Sequence, residues 1–338
     1  MPTSPDRPIF LWLLVSAAMV LAIAVIGAIT RLTESGLSMV EWRPLIGALP
    51  PLSDADWTKL FDEYRATPEF QNKNSWMGLE DFKGIFWWEY IHRLWGRLIG
   101  LVYALPLAWF WLRGRLASWL KPWLLGLLVL GGLQGLIGWW MVRSGLVDDP
   151  NVSHVRLALH LGLAVLIYGM LLGLAERLSP APRLAAGGRL RLGSEIVTVF
   201  AFIVILSGAL VAGLDAGLVY NSVPLMGDQW VPDEVLQARD LAGFLSTPGP
   251  VQFLHRWLAK ALAVLILVLW ALARRAPLLP AQRVPLDLLA AMALVQVALG
   301  IATLLLQVPI ALAAVHQAGA LVLFGLAIWT TGRFRSAS

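Results

Sequence analysis

The sequence predicts an all-α, polytopic membrane protein whose eight transmembrane helices form two pseudo-symmetric four-helix bundles in tandem. Three observations predict it. First, 58% of the 338 residues are hydrophobic, only 14% are charged, and mean hydropathy is +0.72, too apolar for a soluble domain of this length. Second, apolar runs of about 20 residues recur along the chain, the length that crosses a hydrocarbon core of about 30 Å. In lipid such runs must be helical, because their backbone groups have no water to bond. Third, the second half of the chain repeats the pattern of the first.

Taken in order, the spans fall at about 9–30, 90–112, 122–142, 156–176, 195–214, 253–273, 286–306 and 309–331. The first run lacks a small-residue cleavage site and continues into ThrArgLeuThrGluSerGly, so it reads as a retained anchor. Two connections are long, 31–89 and 215–252, and the rest are short. The N-terminus, the short links 113–121, 177–194 and 274–285, and the C-terminal tail with their helix edges hold 13 of the 26 Lys and Arg but four of the 21 Asp and Glu. Basic residues near spans stay on the cytoplasmic side. Both termini are therefore expected inside and both long loops outside, in the periplasm if the membrane is a bacterial inner membrane. The pI of about 9.8 is then a topology signal, and no nucleic-acid partner is expected.

The duplication divides the chain into a unit at 1–177, a cytoplasmic linker at 178–194 and a unit at 195–338. GAITRLTESGL from Gly27 matches GALVAGLDAGL from Gly208, placing Glu34 with Asp215 and Gly36 with Gly217. PLIG at Pro44 recurs as PLMG at Pro224, and EYIHRLWGR as QFLHRWLAK, aligning His92 with His255 and Arg93 with Arg256. Gln134 and Gly138 match Gln296 and Gly300, and His160 with Gly169 matches His316 with Gly325.

Four of the five histidines thus occupy matched positions near the outer ends of even-numbered spans. Facing imidazoles from two helices of a bundle can ligate a haem iron at both axial positions. A lone intramembrane histidine is more simply a helix–helix hydrogen bond; four at matched depth favour haem. With no cysteine, covalent haem attachment, Cys-ligated zinc, iron–sulfur clusters, disulfides and thiolate nucleophiles are excluded. Arg93, Arg97, Arg256 and Lys260 follow the histidines by one and five residues and are candidate propionate partners. For Arg97 and Lys260, snorkelling to headgroups is an equal alternative. Gly131, Gly132, Gly135 and Gly138 either let helices approach or leave room for a flat macrocycle. His154 reads as a solvated loop residue.

The halves differ at one ionisable position. Glu89 shares a helix face with His92, and its counterpart is Gln252. A carboxyl there suits proton transfer or stabilisation of a developing cation; a salt bridge to Arg93 or Arg31 is the plainer alternative. The first unit is the candidate reaction site and the second a structural or electron-relay haem. Within the preceding loop, DADWTKLFDEYRATPEF has helical spacing, with Asp54 near an N-cap and Pro68 past the end. It reads as an amphipathic lid over the first site, or as part of an interfacial aromatic belt.

GAITRLTESGLSMVEWRPLIGALPPL (27–52), NKNSWMGLEDFKGIFWWEYIHRLWGR (72–97), HVRLALHLG (154–162), and His255 with His316 carry a resemblance that covers the whole chain. It resembles the heme A synthases, in the long form found in alphaproteobacteria and mitochondria. That resemblance implies oxidation of the methyl group at ring carbon 8 of heme O to a formyl group, through successive hydroxylations to a geminal diol that loses water. It implies that His92 and His160 ligate heme O, that His255 and His316 ligate a heme b cofactor, and that Glu89 is the essential carboxylate. Its product, heme A, serves cytochrome c oxidase. The partners it implies are heme O, membrane lipid and an electron donor it does not name, with heme O synthase, oxidase assembly factors and further copies of the chain as candidate neighbours. Some family members carry a cysteine pair in the outer loops; this chain has none, so a disulfide-based electron path cannot operate. The competing readings are a diheme b-type cytochrome exchanging electrons with quinone, and a transporter.

Overall fold

The computed structural model describes residues 7–41, 49–147, 150–179 and 188–335. Among them are eight helices long and apolar enough to cross a membrane: α1 (Arg7–Leu32), α3 (Leu79–Leu112), α4 (Lys121–Arg143), α5 (His154–Leu178), α6 (Gly188–Gly213), α9 (Pro248–Ala273), α10 (Pro280–Leu305) and α11 (Ile310–Phe334). Three short helices lie in the long loops: α2 (Asp54–Arg65), α7 (Asp233–Gln237) and α8 (Leu241–Ser246). Pro44 and part of the linker, 180–187, lie outside the described residues.

Span ends agree with the sequence reading except where a helix runs on past the apolar run. The largest difference is α3, which begins at Leu79 rather than near 90. Glu89 is therefore inside a helix, not at its start. The extra turns read as loop because Glu80, Asp81 and Lys83 lower their hydropathy, yet Glu80 and Asp81 suit the positive end of a helix dipole. The Gly78 N–H donates to Asp81 Oδ2 at 3.0 Å, which caps the start.

Those turns are held by packing outside the long spans. Phe82, Ile85, Phe86 and Tyr90 repeat at helical spacing and bury against Trp57 and Tyr64 of α2, with Phe61 and Phe70 at the edge. Trp57 meets Phe86 edge-on at 5.0 Å, and Tyr64 stacks on Phe82 at 5.2 Å. Such aromatic pairs add about 0.5–1.5 kcal/mol each beyond area burial. The segment expected to be an amphipathic lid is thus a helix docked on the extension of α3. Its N-cap is Ser53, with Asp54 next to it as the first helical residue: Ser53 Oγ accepts from Asp56 N–H at 3.2 Å while Asp56 Oδ2 accepts from Ser53 N–H at 3.1 Å, a reciprocal capping box. The Ser53 hydroxyl, which donates to Asp56 Oδ2 at 2.8 Å, together with the Leu52 and Ser53 N–H groups, holds the Asp56 carboxyl below its usual range.

Beneath α2 lies a buried polar trio. Tyr64 donates to Glu69 Oε2 at 3.0 Å, and Asn74 Nδ2 donates to the Tyr64 hydroxyl at 2.8 Å. Burial, with Glu34 and Glu89 adding to it against the opposing pull of the Tyr64 hydrogen bond and Lys73, pushes the Glu69 carboxyl up to about 7 from 4.5. Its folded value lies above its unfolded one, so the stability it contributes is fully present below pH 4.5 and declines as pH rises towards 7. Limited proteolysis across 54–74 is expected to run faster at pH 8 than at pH 5, and Glu69→Gln is expected to remove the part of that difference that exceeds the protease's own pH dependence.

Two residues aligned in the sequence share a backbone conformation. The matched residues Glu34 and Asp215 both take the left-handed conformation, at φ 51° and 49°, where the chain leaves α1 and α6. Such values are uncommon outside glycine.

The chain divides into two compact units, 22–163 and 1–21 with 164–338. In the latter, α6, α9, α10 and α11 make a closed ring in which each helix packs on two neighbours. The last turns of α5 join this unit: Gly169 lies against Phe324, and Glu176 pairs with Arg333, Nε to Oε1 at 3.1 Å and Nη2 to Oε2 at 3.1 Å. Of the two contacts, Nη2 to Oε2 is a charge-assisted hydrogen bond.

Candidate functional site

Each of the four matched histidines is backed by a glycine on the preceding long helix. A Cβ placed on Gly27 of α1 would stand 3.2 Å from His92 Nε2 on α3. On Gly138 of α4 it would stand 2.8 Å from His160 Cε1 on α5. On Gly208 of α6 and Gly300 of α10 it would stand 3.1 Å and 3.0 Å from Cε1 of His255 on α9 and His316 on α11. At all four, the missing side chain leaves the space that the imidazole fills. Gly131, Gly132 and Gly135 differ: nothing stands within 4 Å of a Cβ at any of them, so they mediate no close packing with the described residues.

Most of the rings are also tethered. Gln134 Nε2 lies 3.1 Å from His160 Nδ1 and donates to the His160 carbonyl at 3.0 Å. Gln296 repeats this at His316 with 3.1 Å and 2.7 Å. His255 Nδ1 lies 2.8 Å from Ser207 Oγ. Each of the four histidines is half-buried. His160 is the histidine within electrostatic reach of His92, and His316 the one within reach of His255.

This donor set fits haem better than a bare metal ion. Among the described residues no group of three His, Asp or Glu converges as a metal site. Two facing imidazoles complete an iron whose other four positions are porphyrin nitrogens. Because Gly138 has the tightest contact, Gly138→Ala is expected to push His160 off its Gln134 tether. Haem affinity of the first site is expected to fall about tenfold or more, read as haem per chain after titration, with the His255–His316 site unchanged.

Glu89 is 2% exposed and fully engaged. Its Oε2 accepts from Ser38 Oγ at 2.7 Å and from Met39 N–H at 2.8 Å, and its Oε1 pairs with Arg93. The salt bridge that the sequence offered as the plainer alternative is present, joined by two donors from the loop after α1. The 2%-exposed Gln252 instead donates from Nε2 to the Tyr220 carbonyl at 3.1 Å.

The arginines follow the repeat closely. Arg93 donates to the carbonyls of Met39 (2.9 Å) and Glu41 (3.1 Å), and Arg256 to those of Tyr220 (2.8 Å) and Ser222 (3.0 Å), as well as Leu225 (3.2 Å). Continuing the register that pairs Gly36 with Gly217, Met39 matches Tyr220 and Glu41 matches Ser222. The same guanidinium pins the same loop in both halves. Arg256 keeps a buried Nε without a hydrogen-bond partner. Arg97 is half-buried one turn beyond Arg93, and the exposed Lys260 rests its ammonium 4.1 Å from the Trp257 ring centroid, as a snorkelling lysine does.

His154 is the first residue of α5, not a loop residue, and is half-buried. The sequence reading missed Ser38 and Ser207. Ser38 has no mark beyond lying in the loop that follows α1, and Ser207 shows only as the hydroxyl that faces Ile26 across the repeat.

The model of one protein family, described as cytochrome oxidase assembly protein, matches residues 10–328. The heme A synthase of Rhodospirillum centenum is 52% identical over 96% of this chain and 87% of its own length. The chain belongs to the heme A synthase family. The heme A synthases of Nitrosospira multiformis and Maricaulis maris are 46% and 44% identical, each over 98% of this chain and over 94% and 98% of their own lengths. All four matched histidines and Glu89 lie inside the region matched by the family model, so the heme A synthase assignment covers both halves of the repeat.

Proposed function

We propose that the chain oxidises the methyl group at ring carbon 8 of heme O to a formyl group, with the substrate held by His92 and His160 and a heme b cofactor held by His255 and His316. One observation carries this reading: two sites alike in histidine, glycine seat and loop-pinning arginine differ in that one holds Glu89 and the other Gln252. Bound haem supplies the redox chemistry. The protein supplies the rest.

His160 and His316, fixed by their glutamines, set the position of each macrocycle. Arg93 anchors both Glu89 and the loop that covers it, so the carboxylate is fixed one helical turn from His92 and shielded from water. From there it can take a proton from a reacting substrate group or stabilise positive charge developing on it; an amide can do neither.

We also propose the division of labour into 1–177 and 195–338, with both termini cytoplasmic and the loops holding α2, α7 and α8 periplasmic, on the distribution of basic residues. Heme O synthase and oxidase assembly factors are the candidate neighbours for this role. The test is heme A formation in a host that makes heme O but lacks its own heme A synthase. Expression of this chain is expected to yield heme A; accumulation of heme O alone would refute the reading and favour a diheme cytochrome.

A further inference from the structure

Three of the four candidate axial histidines are tethered at Nδ1, and the exception is in the half that carries Glu89. His160 has Gln134 Nε2 at 3.1 Å from Nδ1 and 3.3 Å from Nε2, His316 has Gln296 Nε2 at 3.1 Å from Nδ1, and His255 has Ser207 Oγ at 2.8 Å from Nδ1. Among the described residues, neither ring nitrogen of His92 has a hydrogen-bond partner. The cause is legible in the repeat: Gly27 matches Gly208, so the residue facing Ser207 across the duplication is Ile26, which has no donor or acceptor on its side chain.

The Ser207 contact also has a direction. Its hydroxyl donates to the Val204 carbonyl at 2.7 Å, and a hydroxyl has one proton to give. It therefore accepts from His255 Nδ1–H, which leaves the Nε2 lone pair free for a metal. Among the described residues no hydrogen bond fixes the tautomer of His92, which is held by its packing on Gly27. Its ring is also seated differently, with the Nε2–Cδ2 edge against Gly27 where the other three turn Cε1 to their glycines.

When a histidine ligand donates its distal ring N–H to an acceptor, as His255 does to Ser207, the bond orients the ring and raises its basicity, and losing it typically weakens metal affinity by about 10–100-fold; Gln134 and Gln296 present amide nitrogens, which hold their rings in place without that donation. Resting on the haem reading above, we infer that His92 is the exchangeable axial ligand of the first site. His160 keeps that haem in place, Ser207 holds its counterpart His255 in the second site, and only the haem beside Glu89 can open a coordination position. Ile26 and Ser207 are then the positioning residues that decide which of two matched sites admits an exogenous ligand.

The probe is carbon monoxide, added to dithionite-reduced full-length protein carrying haem at both sites and followed in the Soret band. Wild type is expected to react at one of its two haems. Ser207→Val is expected to make the second haem reactive as well, raising its carbon monoxide affinity about tenfold or more. Ser207→Thr, which keeps the hydroxyl, is expected to behave as wild type. Ile26→Ser is expected to weaken carbon monoxide binding at the first haem about tenfold. Equal reaction at both haems of the wild type, or reaction at neither, would overturn the inference, as would a Ser207→Val protein with the wild-type response. Protein purified without any haem would instead contradict the haem reading itself, so the two failures are distinguishable.

Discussion

Glu89→Gln is expected to leave haem binding intact and to lower heme A formation by about a hundredfold or more, the range over which removal of a positioned proton-transfer group acts. The duplication supplies the control for folding. Gln252 occupies the matched position, exposed to the same 2%, and the loop beside it is pinned by Arg256 in the way Arg93 pins its own. An amide is therefore compatible with this backbone. What changes is chemistry: Glu89 accepts from Ser38, Met39 N–H and Arg93, whereas a glutamine carries one acceptor oxygen and no charge. Heme O and heme b retained by a variant that no longer makes heme A is the expected result. Unaltered heme A yield would remove Glu89 from the mechanism.

The second large effect is a split between the two histidine pairs. His255→Ala or His316→Ala is expected to strip heme b from the protein, because each removes one of two axial ligands and vacates a seat that Gly208 or Gly300 shaped for an imidazole. His92→Ala or His160→Ala is expected to abolish turnover while heme b stays bound. Within the first pair the two are not equal: His160 is tethered by Gln134 and His92 is not, so His160→Ala is expected to lose the substrate haem more completely. Haem extraction and chromatography of the four purified variants reads all of this at once. Loss of both haems in all four would break the two-site account.

Much of this was legible in the sequence because the duplication made residues check one another. Gln134 with Gly138 and Gln296 with Gly300 stood out as repeated pairs, and the structure brings each pair onto a histidine. Spans were legible because lipid leaves a long apolar run no alternative to helix. The extension of α3 was not, because residues 79–90 are only half apolar and owe their helix to Trp57 and Tyr64, which lie far away in sequence. Tertiary packing there overrides local hydropathy. The loop-pinning role of Arg93 and Arg256 was hidden for a related reason: their acceptors are backbone carbonyls, which no sequence motif marks. Ser207 escaped because a single hydroxyl before a glycine has meaning only once His255 is seen beside it.

One chain is expected to hold two similar haem sites and to work on the haem in one of them. The most direct measurement is the identity and stoichiometry of haems extracted from the purified protein after expression with a heme O supply. The account predicts two haems per chain, one of them heme b and the other heme O together with heme A formed from it. Heme b alone in both sites would contradict it and mark the chain as an electron-transfer cytochrome.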